Sequence, residues 1–363
     1  MVATVLLAAA LTGTLFPTPA PASIASTPGL GVWGTNGRVW AMVRVGHVIY
    51  LGGDFTAALG PAGQHVPRAH LAAINTTTGS LTAWNPGTNG PVYALAVRTG
   101  TIYVGGAFTR VKGVPRLHLA AVRLDGSPTP LRVNAGALVR SLAVVGSTLY
   151  LGGRFGRVDG AHRGHIASVN LSNGGRLTSW HPSVNRAVRV IQPLPDGQLV
   201  IGGVFTAVNG RAQRYLAIFR RDGSLGTWAD HPDPDRWVED IGQHDGLIAV
   251  AEAGQGGRVQ VFNTRGVEQW RVFCNGDVQA VGFADDRVIA GGHFLTVDQL
   301  PFPRLVALNL RGEVVRTWHP TPDKPVWSIQ GSAKELYVGG EFLHIALGGR
   351  TIPVRHFVQF KVI

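Results

Sequence analysis

One phrase, Gly-Gly-x-Phe behind an aromatic or aliphatic run, recurs along the whole chain. It stands at Gly52-Gly53-Asp54-Phe55, Gly105-Gly106-Ala107-Phe108, Gly152-Gly153-Arg154-Phe155, Gly202-Gly203-Val204-Phe205, Gly291-Gly292-His293-Phe294 and Gly339-Gly340-Glu341-Phe342. The spacings between first glycines are 53, 47, 50, 89 and 48 residues. The gap of 89 spans two periods, and the degenerate run Leu247 to Glu252 fills it as a further copy. A fixed period of this size means that one supersecondary unit is repeated and that neighbouring units bury each other's apolar faces.

Each copy reads as four short strands. A Val-x-Ala-Leu-like strand (Val39 to Met42, Val92 to Leu95) precedes the run that ends in Gly-Gly. A Leu-Ala-Ala strand follows (Leu71 to Ile74, Leu119 to Val122), then a strand ending in Trp at Trp84, Trp180, Trp228, Trp270 and Trp318. Short β-rich runs split by Gly and Asn/Asp turns signal strands, and no segment carries a useful helical period. Four strands per 45 to 50 residues is the arithmetic of a β-propeller blade. The expectation is an all-β, seven-bladed propeller over residues 30–363. The last copy has only three strands, so the N-terminal segment Gly31 to Gly37 is expected to supply the fourth and remove two open edges. The glycines are read as sites of backbone crowding or unusual φ, and the Phe and Trp as core residues.

Gly105 to Gly113 and Gly202 to Gly210 both read Gly-Gly-x-Phe-Thr-x-Val-x-Gly. With the Arg, Leu-Ala-Ala and Trp-x-Pro that follow, this pattern resembles the delta-60-type β-propeller repeat of bacterial secreted proteins. Kelch repeats, which also pair Gly-Gly with a later Trp, are the nearest competing resemblance. The delta-60 resemblance implies a fold and export but no particular reaction.

Val2 to Phe16 is apolar and uncharged, too short to span a bilayer comfortably, and Ala20-Pro21-Ala22 follows as a small-x-small pattern. Residues 1–22 therefore read as a signal peptide and 23–29 as a short linker, which makes the protein secreted. The single Cys274 excludes an intrachain disulfide framework and a Cys-rich zinc site. Net charge is +12, with only four Lys (Lys112, Lys324, Lys334, Lys361) against 29 Arg. That balance points to anionic partners such as envelope polymers. Nucleic acid is not expected, because aromatic and basic residues do not interleave in stacking strips. No cofactor and no metal site are expected. Asp230, Asp233, Asp235, Glu239 and Asp240 form an acidic run without EF-hand spacing, and His181, His231 and His319 read as turn residues in separate units.

One position varies in chemistry while its neighbours stay small or aliphatic. It follows the first Val of each innermost strand and reads Trp40, Tyr93, Arg140, Arg189, Glu239, Gln279, Trp327. At the mouth of a central channel, three aromatics, two Arg and a Glu would stack a ring and hold an anion by bidentate contacts. The alternative is that they pack between blades. Arg68, Arg116, Arg163, Arg214, Arg304 and Arg355 precede the third strand and are read as ligands for loop carbonyls of the adjacent blade. Gly-x-Ser-x-Gly, His-Glu-x-x-His and Walker patterns are absent. The leading reading is a secreted binding or scaffold propeller for a glycan, anionic polymer or protein partner on its loop-rich face. The alternatives are a hydrolase or lyase using Glu239 with Arg140 or Arg189, and a purely structural envelope module.

Overall fold

A computed structural model of the chain describes residues 24–25, 28–29, 32–228 and 235–362. The segment read as a signal peptide, and Asp230, His231 and Asp233, lie outside them. Among the described residues the protein is all-β apart from one 3-10 turn at Leu171–Asn173, and no helix is long and apolar enough to cross a membrane.

The repeat folds as an antiparallel meander. Its first instance is Val39–Val45, Val48–Gly53 and Leu71–Asn75, and its last is Val326–Gly331, Glu335–Gly340 and Phe357–Lys361. The expected fourth strand is mostly shorter than the sequence implied. Only Arg176–Leu177 and Glu268–Cys274 pair as strands; elsewhere one bridge remains, as at Ile74↔Leu81, Val122↔Pro128 and Phe219↔Leu225. Prolines such as Pro128 lack the N–H that would continue a ladder. Trp84 nevertheless lies buried, and its Nε1 donates to Arg123 O at 3.0 Å, in the turn of the following meander. A Cβ on Gly126 in that turn would stand 3.7 Å from the Trp84 ring.

Crowding explains the Gly-Gly pair; positive φ does not, since neither Gly105 nor Gly106 adopts it. A Cβ on Gly105 would lie 2.7 Å from Val139 Cγ1 in the next inner strand, and one on Gly106 would lie 2.2 Å from Pro91 O. The Phe two positions after the pair is 0–1% exposed in all six copies. In the fifth repeat Ala251 and Glu252 occupy the glycine positions and the Phe is gone. Glu252 there holds Arg258 in a fully buried pair, with N···O distances of 2.7 and 2.8 Å.

The loop between the second and third strands folds into a small ribbon, a feature not legible in the repeat. Ala57–Leu59 pairs with His65–Pro67, and the segment feeding the inner strand joins it through Gly34↔Leu59 and Thr35↔Ala58. The Thr-Asn-Gly motif makes this joint. Asn36 Oδ1 accepts from the amides of Thr56 and Ala57, and Asn89 Oδ1 from Thr109 and Arg110.

Three corrections concern the expected Arg row and closing strand. Only Arg68, Arg116 and Arg163 share a register; Arg304 falls at the position of His70, and Gln213 rather than Arg214 at that of Arg68. The carbonyls these Arg bind belong to their own meander: Arg68 donates to Pro67 O and Thr82 O, both at 2.9 Å. The edge of Phe357–Lys361 is met by residues earlier than 31–37. Ala25 N donates to Lys361 O and Gly29 N to Gln359 O, each at 2.8 Å, and Ile24 bridges Val362.

Candidate functional site

Every inner strand carries a one-residue irregularity at the same place. Val39 pairs with Gly53 and Ala41 with Gly52, so Trp40 is left over as a bulge. The same shift isolates Tyr93, Arg140, Arg189, Glu239, Gln279 and Trp327. A bulged residue is released from the ladder and its side chain is re-aimed. Here all seven side chains line a common cavity, so the structure brings together the whole row predicted from sequence.

These residues form a collar between two chambers, of about 490 Å³ on the side of the Gly-Gly-x-Phe loops and about 390 Å³ along the inner strands. One side of the collar is aromatic: the ring centroids of Trp40 and Trp327 are 4.5 Å apart, and those of Trp40 and Tyr93 5.8 Å. The Arg140 guanidinium lies 5.6 Å from the Trp40 ring and 5.3 Å from the Tyr93 ring. Such stacking leaves the edge N–H groups of an Arg free to donate in plane. No hydrogen bond or ion pair to Arg140 is formed by any described residue. Opposite, Arg189 is ion-paired to Glu239, whose Oε1 also accepts from Trp237 Nε1 at 2.6 Å. Glu239 is 8% exposed.

Burial lowers the proton affinity of the Arg140 guanidinium. It lowers that of Arg189 to about 10, with Arg140 and Arg154 pushing in the same direction. Two clustered guanidiniums in a desolvated chamber favour an added anion. On the other side of the collar, burial raises the Asp240 carboxyl to about 6. Its Oδ1 accepts from Ile241 N at 2.9 Å and its Oδ2 from Val281 N at 3.0 Å, so it ties two inner strands together.

The polar and aromatic residues of the larger chamber that escaped the sequence reading include Arg154, Trp237, Asp277 and His293. Arg154 and His293 are the x of Gly-Gly-x-Phe, a position whose variability was the available signal. Trp237 and Asp277 immediately precede the strand-initial Val, and Arg189 lies 5.8 Å from the Trp237 ring. Cys274 is buried, which pushes its thiol well above the usual range and makes it inert as a nucleophile. Tyr50, Tyr103 and Tyr337 are buried beside the Gly-Gly pairs. Among the described residues no group of three His, Cys, Asp or Glu side chains converges as a metal site would require.

Residues 98–128 and 194–225 match the model of a β-propeller domain of unknown function, DUF5122. The chain is of the β-propeller type. Over 92% of its length it is also similar in fold to the crystal structure of the computationally designed Ika8 protein, with 98% of that chain covered, a TM-score of 0.55 and 12% identity. No curated protein matches the sequence. A propeller fold does not by itself fix a function, which must be argued from the chemistry of the chamber.

Proposed function

We propose that this chain is an exported, seven-bladed propeller that closes on itself and binds the acidic group of a glycan or anionic polymer in its axial chamber. The ring reading is supported by contacts between the last and first repeats. Ser328 Oγ donates to Val39 O at 3.2 Å, Arg38 Nε to Glu341 at 3.0 Å, and Arg44 pairs with Glu335 at 2.7 Å. The hydrogen bonds from Ala25 and Gly29 to the edge of the last meander support closure by the N-terminal segment. Export rests on the apolar N-terminal segment and on the resemblance to secreted repeat proteins.

The observation that carries the functional reading is Arg140, a guanidinium held against two aromatic rings in the chamber, with no ion pair or hydrogen bond from any described residue. A carboxylate or phosphodiester oxygen is the natural complement, and the wall of Trp40, Trp327 and Tyr93 suits the apolar face of a sugar ring. Binding is favoured over catalysis because the collar carboxylates are committed: Glu239 holds Arg189 and Trp237, and Asp240 holds two backbone amides. Calorimetric titration with acidic and neutral oligosaccharides tests the reading. Acidic ligands are expected to bind and neutral ones to bind at least about tenfold more weakly, a difference of 1.4 kcal/mol. Arg140→Ala should abolish the distinction. Equal binding of both classes, or none of either, would refute it.

A further inference from the structure

Resting on that reading, we propose that the chamber selects a singly charged sugar acid, a hexuronate end group, and that Glu239 sets this limit by acting as the internal counter-ion of Arg189. Among the described residues, the charges lining the larger chamber are Arg140, Arg154 and Arg189 against Glu239 and Asp277. His293 there is held toward its neutral form by burial. The balance is one positive charge, enough to match one carboxylate.

The two carboxylates are not equivalent. Asp277 Oδ1 accepts from Gly254 N at 3.0 Å, a structural bond at the end of a strand. Glu239 stands at a bulge, projects into the chamber, and meets Arg189 with the same Oε1 that Trp237 Nε1 grips. That grip points Glu239 at Arg189 and offsets the Arg189 charge. Arg140, stacked and without an ion pair among the described residues, is then left with Arg154 to meet an anion against the charge of Asp277. A dianion such as a phosphate monoester would bring one negative charge more than the chamber balances and would face Glu239 across it. Specificity here comes from a repulsive element as much as from an attractive one.

The test uses the intact protein with three probes: a glucuronate-terminated oligosaccharide, its neutral glucose counterpart and glucose 6-phosphate. The wild type is expected to prefer glucuronate over glucose 6-phosphate. Glu239→Gln, an isostere that can still accept from Trp237, frees Arg189 and should tighten glucose 6-phosphate by about tenfold, the size of one unscreened charge contact. Adding Arg189→Gln to Glu239→Gln returns the balance to one positive charge and should restore the preference for glucuronate. Glucuronate binding with no gain for glucose 6-phosphate in Glu239→Gln overturns the inference but leaves the acidic-ligand reading standing. Failure of both anions to bind any variant overturns that reading as well. Melting curves of each variant, matched to the wild type, separate these outcomes from misfolding.

Discussion

Asp240 offers a way to measure the collar's electrostatics through stability. It occupies the position after the bulge, where other inner strands carry Ala41, Ala94, Ser141 or Ser328. Ser141 makes the equivalent stitch without a charge: its Oγ accepts from Ile191 N at 2.8 Å, as Asp240 Oδ2 accepts from Val281 N. Asp240→Ser should therefore keep the tie and remove the buried carboxylate. Burial raises Asp240 to about 6 in the folded protein, against roughly 4 in an unfolded chain. A folded-state value above the unfolded one favours folding while the group is protonated. Its contribution is complete below about pH 4 and lost as pH rises through 6. At 1.36 kcal/mol per pH unit the step is about 3 kcal/mol, or about 4 °C in Tm for a chain of this size. Urea unfolding at pH 4, 5, 6 and 7 measures it as the difference between wild type and variant, which cancels every other titrating group. The wild type should lose about 3 kcal/mol relative to Asp240→Ser between pH 4 and pH 7. Parallel profiles would refute the argument that Asp240 is desolvated.

Other predictions follow from the packing and the seams. Gly106→Ala drives a Cβ against Pro91 O, 2.2 Å away in rigid backbone, and should cost about 1–3 kcal/mol or more in chemical unfolding; wild-type stability would contradict the crowding account. Ile24, 8% exposed against the last meander, should cost about 2–4 kcal/mol as Ile24→Ala; no loss would mean that the N-terminal segment does not seal the sheet. Glu335→Ala strips an acceptor from Arg44, Tyr337 and Gln359 at once and should cost about 1–3 kcal/mol, seen as a lowered urea midpoint. His70, His118, His165 and His356 share one register, each with φ between 63° and 65° and an unpartnered Nδ1, and burial lowers the proton affinity of all four. Their folded-state values lie below the unfolded one, so stability is lost as pH falls below about 6.5, by at most about 1.4 kcal/mol per pH unit for each histidine. His356→Asn, which tolerates positive φ, should flatten that acid limb; an unchanged limb would place the sensitivity elsewhere.

The sequence by itself determined the repeat, its strands and the row of residues that meet at the axis. Gly-Gly, the buried Phe and the outer Trp are local necessities, and a period of about 50 residues multiplies one local solution along the chain. The variable position after the strand-initial Val was legible because its neighbours hardly change. The tertiary structure decided what that row does. Pairing Val39 with Gly53 and Ala41 with Gly52 ejects Trp40 from the ladder, and no single-strand pattern announces a bulge. The true register of the Arg row depended on which residue takes positive φ before the third strand. The partnering of Glu239 with Arg189, and the stacking of Arg140 on Trp40 and Tyr93, arise only when strands more than forty residues apart are brought together. Local propensity fixes the repeating unit; charge balance belongs to the assembled chamber, because it is a sum over residues that meet only there.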